Sequence, residues 1–420
     1  MRATPGISRH SVAIAALSTI VEWYDFTLYL YFSTVLSRVF FGGGELALAF
    51  TLGGFAISYL LRPLGALCFG RIGDRFGRRH MLLISMALMT VTMLMTSLLP
   101  TYTQLGISAG ILVLILRGIM SFSVGGEYTG VVAYLLEGSR PDRRGLVTSL
   151  ASAASEVGAL LAVGVSALTV ALLSESALES WGWRIPFLVG FVLAGSLWLG
   201  RAWLEESPGF LEHQQTGTSV SLRESIIHFR PAIWRSFAIS ALGSATYYLG
   251  ITYVPVFLVT TGAFTEKDAL SLSVVAAISV VVITPLAGNF SDRIGRRPML
   301  LLLAVGSAFL PLVVFMLMTV GSYAISMLGA VLMACLAGCV SAVGTSSTSE
   351  QFPVAVRLTG LALGTTVATA IFGGLTPWLA QTIITSTGSH SAPGLIITLI
   401  AVCVLPVFFY MPETAPGKRK

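Results

Sequence analysis

Apolar residues fall in twelve runs, near 11–37, 46–70, 80–99, 104–134, 146–173, 184–204, 233–260, 269–290, 298–319, 322–348, 358–386 and 394–411. They are about as long as a helix that crosses ~30 Å of hydrocarbon. The short alternating strands of a membrane barrel do not occur in the pattern. The runs predict an all-α polytopic membrane protein with twelve transmembrane helices. One long polar stretch, rich in Gly, Ser, Thr and Gln, divides them six and six. It predicts an N-terminal six-helix bundle over 1–204, a linker over 205–232 and a C-terminal six-helix bundle over 233–420. The first run continues through Val21-Glu-Trp-Tyr-Asp25 without a small-residue cleavage site, so it is expected to be a retained span and not a leader.

The polar positions between the runs repeat. Gly70-Arg-Ile-Gly-Asp-Arg-Phe-Gly-Arg-Arg-His-Met-Leu82 returns as Gly288-Asn-Phe-Ser-Asp-Arg-Ile-Gly-Arg-Arg-Pro-Met-Leu300, an offset of 218 (288 against 70). Glu137…Pro141…Arg144-Gly145 is answered by Glu350…Pro353…Arg357…Gly360. Glu206-Ser-Pro208 is answered by Pro412-Glu413-Thr414. A chain that repeats its loops at half its length predicts two pseudo-symmetric bundles.

Composition strengthens this picture. Only 10% of the 420 residues are charged and the mean hydropathy is +0.85, against about 25% charged in a soluble chain. The net charge of +6 might point to nucleic acid, but its distribution does not. With both termini cytoplasmic, 20 of the 25 Lys and Arg fall inside, three outside and two within spans. That bias predicts termini-in and reads the basic residues as topology determinants, with no nucleic-acid partner. The four cysteines lie within apolar runs and read as core hydrophobes; no metal site or cofactor is expected.

The repeated loop and five further stretches resemble the major facilitator superfamily, and within it the metabolite–proton symporter branch of proline/betaine, α-ketoglutarate, citrate and shikimate permeases. The five are Val21-Glu-Trp-Tyr-Asp-Phe26, Leu61-Arg-Pro-Leu-Gly65, Ser123-Val-Gly-Gly-Glu-Tyr128, Trp181-Gly-Trp-Arg-Ile-Pro-Phe187 and Leu204-Glu-Glu-Ser-Pro208. Where the branch has Gln-Gly after the fourth-span Arg, this chain has Met120-Ser121, which leaves the substrate open. Osmosensing members can extend into a C-terminal coiled coil; the residues after the last run are too few to form one, so that regulation is not expected. The resemblance implies ion pairs that hold the cytoplasmic side shut. The expected gate comprises Gly70, Asp74, Arg75 and Arg78, then Asp292, Arg293 and Arg296, with Glu137, Arg144, Glu350 and Arg357 from the second repeated pair.

Six ionisable residues fall within spans: Glu22, Asp25, Arg62, Arg117, Glu127 and Glu156. At roughly 2.5–3.5 kcal/mol each, exposing all six to lipid would cost on the order of 15–20 kcal/mol, so they are expected to face a cavity or one another. Glu22, Asp25 and Tyr29 share one helical face. Arg117, Ser121, Val124 and Tyr128 share another, with Glu127 about 80° away. By resemblance to sugar–proton symporters, Asp25 is the expected proton carrier and Arg117 its partner, with Glu22 grouped beside them. An acid facing a guanidinium favours its charged form; left alone in an apolar site it favours the protonated form. The competing reading is a structural ion pair locking two helices. Arg117 also suits a substrate carboxylate, because a guanidinium grips one bidentately. Tyr29, Glu127, Tyr128, Tyr247, Tyr248 and Tyr253 complete the expected substrate site; for Glu127 helix packing, and for the tyrosines ordinary packing, remain equal alternatives. Arg62 reads as structural; the resemblance supplies no role for Glu156, and a second protonation site is the one alternative for it.

These features imply a secondary transporter that imports a small carboxylate-bearing metabolite or zwitterion with protons. It would work as a monomer in the bilayer of the bacterial inner membrane. A proton-linked exporter and a non-transporting sensor are the alternatives. An enzyme is not expected: the five histidines, at 10, 80, 213, 228 and 390, lie in loops or at span ends without ligand spacing. No G-x-x-x-x-G-K-[ST] loop supplies ATP, so an ion gradient is the natural energy source.

Overall fold

The computed structural model describes residues 9–76, 78–125, 127–128, 131–132, 136, 141–201, 227–353, 357–416 and 418. Within these, the side chains of 9–18, 70–71, 73–79, 82, 141, 201 and 358 are outside the description.

Among the described residues the regular structure is helical. Span one is built from Arg9–Tyr31 and Ser33–Phe41. It ends at Gly42, Gly43 and Gly44, all at positive φ (83°, 81° and 88°), a backbone that side-chain-bearing residues avoid. Span two is Glu45–Leu60 continued by Arg62–Phe76, with Pro63 in the first turn of the second piece, where no amide donor is needed. Arg78–Ser97, Ile107–Ser123, Arg144–Leu172 and Arg184–Arg201 follow. After the segment around 205–232 come Arg230–Tyr247, Glu266–Ile294, Arg296–Met318, Tyr323–Glu350, Leu375–Thr387 and Ala392–Tyr410.

Seven described helices are long and apolar enough to cross a membrane, or nine if each of two bent pairs counts as one span. Leu83–Ser97 and Ile107–Ser123 are shorter apolar helices beside them. Span seven bends by 48° between Arg230–Thr252 and Val254–Thr260. Two causes coincide there: a wide turn over Tyr248–Thr252, and Pro255, which has no amide to donate. Pro285 and Pro311 lie inside Glu266–Ile294 and Arg296–Met318, which run through them without a break.

The outer surface is apolar and the interior carries the charge. Leu302, Phe309, Val192 and Leu199 are among many large apolar side chains turned outward. Glu22, Asp25, Arg117, Glu127 and Glu156 are each 3% exposed or less, and Arg62 6%. All six intramembrane charges therefore avoid the lipid-facing surface, as the insertion cost requires.

Two glycines bring one particular pair of helices together. Helices Arg144–Leu172 and Glu266–Ile294 cross at Gly145 and Gly288. A Cβ on Gly288 would meet Ser149 Oγ at 2.3 Å and Gly145 O at 2.6 Å. Gly288 opens the second copy of the repeated loop, so its place in the motif has a packing reason.

Candidate transport site

Span one supplies the first charges. Asp25 accepts a bidentate pair of hydrogen bonds from Arg117 of span four, from Nη1 at 2.7 Å and Nη2 at 3.0 Å. The rings of Tyr29 and Phe187 flank that guanidinium, 5.5 and 5.8 Å from its centre. Glu22, one turn earlier, turns to a different helix. Its Oε1 accepts from Arg62 Nη2 of span two at 2.5 Å, and Arg62 lies over the rings of Phe26 and Tyr59, at 4.3 and 5.0 Å. Residues i and i+3 differ by about 60° around a helix axis, enough to address two neighbours. The shared face read from the sequence thus resolves into two separate ion pairs.

Beside the Glu22–Arg62 pair lies a cavity of about 130 Å³. It is lined from both halves of the sequence, by Trp23, Arg62, Tyr128 and Glu156 on one side and Tyr247, Tyr248, Thr345 and Thr369 on the other. Trp23 stands edge-on to Tyr128 and Tyr247, with ring centres 5.9 and 5.1 Å apart. The hydroxyls of Tyr59 and Tyr248 hydrogen-bond to each other across the halves. Tyr128 Oη and Ser152 Oγ are 3.1 Å apart, and Ser152 Oγ and Thr345 Oγ1 2.9 Å.

Of the residues expected at the substrate site, Tyr128, Tyr247 and Tyr248 line this cavity. Arg117, Tyr29, Glu127 and Tyr253 do not. Arg117 is committed to Asp25. Tyr29 Oη donates to Thr51 O at 3.2 Å. Glu127 Oε2 accepts from Ser85 Oγ at 3.1 Å. Tyr253 Oη donates to Gln381 Oε1 at 2.6 Å. Trp23, Arg62 and Glu156 line the cavity although no binding role was legible for them in the chain. A stripe of small hydroxyls also lines it, including Ser240, Ser244, Ser341 and Thr345. Its signal was present as Ser or Thr at i, i+4 spacing inside apolar runs.

Both ends of the cavity region carry ties between the halves. On the face where Glu413 and Lys418 lie, Asp292 accepts from the backbone N–H of Gly145 at 2.8 Å and of Leu146 at 2.9 Å, and pairs with Arg296 at 2.7 Å. The carboxylate therefore caps the N-terminus of a helix from the other half, where the helix dipole favours an anion. Arg296 also reaches Glu350 at 3.2 Å, and Glu350 accepts from Thr414 Oγ1 at 2.9 Å. Arg357 donates to the carbonyls of Ser349 and Phe352. Arg144 begins the capped helix, and the Arg293 side chain is exposed. The side chains of the other expected gate residues, Gly70, Asp74, Arg75, Arg78 and Glu137, lie outside the described residues. On the opposite face Arg38 joins Glu266 at 2.7 Å and Glu179 at 2.6 Å.

The family follows from comparison with known proteins. The glycine betaine/proline/ectoine/pipecolic acid transporter OusA of Dickeya dadantii is 32% identical over 98% of this chain and 84% of its own. The chain belongs to the major facilitator superfamily. A model described as sugar (and other) transporter matches residues 11–221, and one described as major facilitator superfamily matches 263–420. The proline/betaine transporter of Escherichia coli is 31% identical with the same coverage, and the citrate-proton symporter of Klebsiella pneumoniae 30% over 98% of this chain and 94% of its own. A crystal structure of a D-xylose-proton symporter superposes with a TM-score of 0.77 at 21% identity, covering 98% of this chain and 99% of that one. The fold is thus the two-bundle, twelve-helix transporter fold expected from the runs, and the protein is a multi-pass membrane transporter and not an enzyme.

Proposed function

We propose that this protein imports a small zwitterion or organic acid together with protons, by alternating access to the cavity between its halves. The observation that carries this is a cavity lined from both halves, with the buried Glu22–Arg62 pair at its wall and the Asp25–Arg117 pair one helical turn further along span one. The names of the relatives, proline/betaine transporters and a citrate-proton symporter, support the substrate range and the coupling. Asp25 is the proton carrier. Arg117 holds its charged form, and releases it when the pair parts or when a substrate carboxylate competes for the guanidinium. Arg62 and not Arg117 lines the cavity in this conformation, so an arriving carboxylate meets Arg62 first. Glu22, already paired with Arg62, links that arrival to span one.

The moving units are 1–204 and 233–420, joined through 205–232. The excess of Lys and Arg supports termini on the cytoplasmic side of a bacterial inner membrane. All six intramembrane charges are buried within a single chain, which supports a monomer as the working unit in the bilayer. The test is uptake of radiolabelled glycine betaine, proline and citrate into proteoliposomes with the outside acidified. The expected result is accumulation of at least one solute above its equilibrium level, collapsed by a protonophore. Equilibration alone for every solute would reject proton coupling.

A further inference from the structure

Glu156 is the buried acid that nothing above uses. It is 3% exposed and lines the cavity, and among the described residues no cation lies within ion-pair distance of it. The other acids of the interior are engaged: Glu22 with Arg62, Asp25 with Arg117, Glu127 with Ser85. Beside Glu156 stands Tyr247, whose buried hydroxyl completes no hydrogen bond of ordinary geometry. The hydroxyl of Tyr31, also within reach of its charge, is likewise unpartnered. A desolvated carboxyl group without a countercharge favours its neutral form, and an arriving cation draws out the charged form by pairing with it.

The walls suit one kind of cation. Trp23 meets Tyr128 and Tyr247 at 72° and 76°, and all three residues line the cavity. Aromatic faces attract alkylated ammonium groups. Across the same cavity Arg62 spends Nη2 on Glu22 and leaves its buried Nε without an acceptor. One wall thus offers a spare guanidinium donor and the other a spare carboxylate.

We infer that Glu156, with Trp23, Tyr128 and Tyr247, forms a subsite for the alkylated ammonium end of a zwitterionic substrate whose carboxylate lies toward Arg62. The inference rests on the transport reading and narrows it. It selects betaine-like and imino-acid-like zwitterions over purely anionic acids. The carboxylate alone does not discriminate among them; the aromatic rings do, because a primary ammonium is more strongly hydrated than an alkylated one.

The test compares glycine betaine with 3,3-dimethylbutanoate, which keeps the shape and the carboxylate but replaces the charged nitrogen by carbon. Binding is titrated calorimetrically to the purified full-length protein. The wild type is expected to prefer betaine by about tenfold or more, and Glu156→Gln to lose that preference while still binding 3,3-dimethylbutanoate within about twofold of wild type. Trp23→Leu is expected to reduce the preference too, and gives a second reading if the first variant folds poorly. A preference that survives Glu156→Gln overturns the inference, as does a wild type that binds the two compounds equally. So does a Glu156→Gln protein altered only in its pH dependence, which would make the residue a second proton site. Proton-driven uptake of citrate without binding of betaine would sink the subsite and leave the transport reading standing; no proton-driven uptake of any solute would sink both.

Discussion

Glu22 and Asp25 lie one turn apart and end in different ion pairs. Their presence inside a span, and the cost that drives them inward, were legible in the sequence. Their partners were not, because which of two neighbouring helices an acid meets depends on packing that spacing alone does not fix. Arg62 shows the same limit. Its apolar surroundings in Leu61-Arg-Pro-Leu-Gly65 read as structural, and only the packing of Tyr59 and Phe26 around it shows its place at the cavity. Asp25→Asn is expected to abolish uphill uptake while sparing exchange across the membrane, measured as counterflow. Unchanged accumulation would assign the pair to structure instead. Asp25→Ala strands a buried guanidinium and is expected to cost about 3–5 kcal/mol in a denaturation assay, part of which returns in the double variant with Arg117→Leu. Tyr253→Phe removes one buried hydrogen bond away from the cavity. It is expected to cost about 1 kcal/mol of stability and leave transport unchanged; a large loss of affinity would bring Tyr253 into the site.

At the level of helices, the repeat was legible and its contacts were not. Gly288 and Asp292 stand four residues apart in the second copy of the loop, and both act on helix Arg144–Leu172. Gly288 lets it approach and Asp292 caps its first turn. A sequence shows that Gly and Asp recur, but not that they meet a helix from the other half. Asp292→Ala removes the cap and is expected to cost roughly 1 kcal/mol. Gly288→Leu overpacks the crossing by about 1–3 kcal/mol, a shift of roughly tenfold to a hundredfold against closure. The expected outcome is slower transport with greater reactivity of a cysteine introduced at the cavity wall toward a reagent added from the face of Asp292. Wild-type rates with unchanged reactivity would show that this crossing does not close the path. The prolines teach the complementary lesson. Pro255 bends its span because a wide turn precedes it, while Pro285 and Pro311 sit in helices that absorb them.

For the whole molecule, ties at both faces give the two halves something to break in either direction. Arg38 with Glu266 and Glu179 holds one face; Asp292 with helix Arg144–Leu172 holds the other. The sequence read Arg38 only as one of few basic residues on its side, because Glu179 and Glu266 are remote from it in the chain. If the halves rock about the cavity, the two ties cannot open together without a leak, so their openings must alternate. Spin-label pairs spanning the halves, one on each face, measure this directly by electron–electron distance in lipid nanodiscs at low and high pH. The expected result is that one distance lengthens as the other shortens, and that Arg38→Ala favours opening on its own face. Two distances that stay fixed, or that change in the same sense, would contradict alternating access to this cavity.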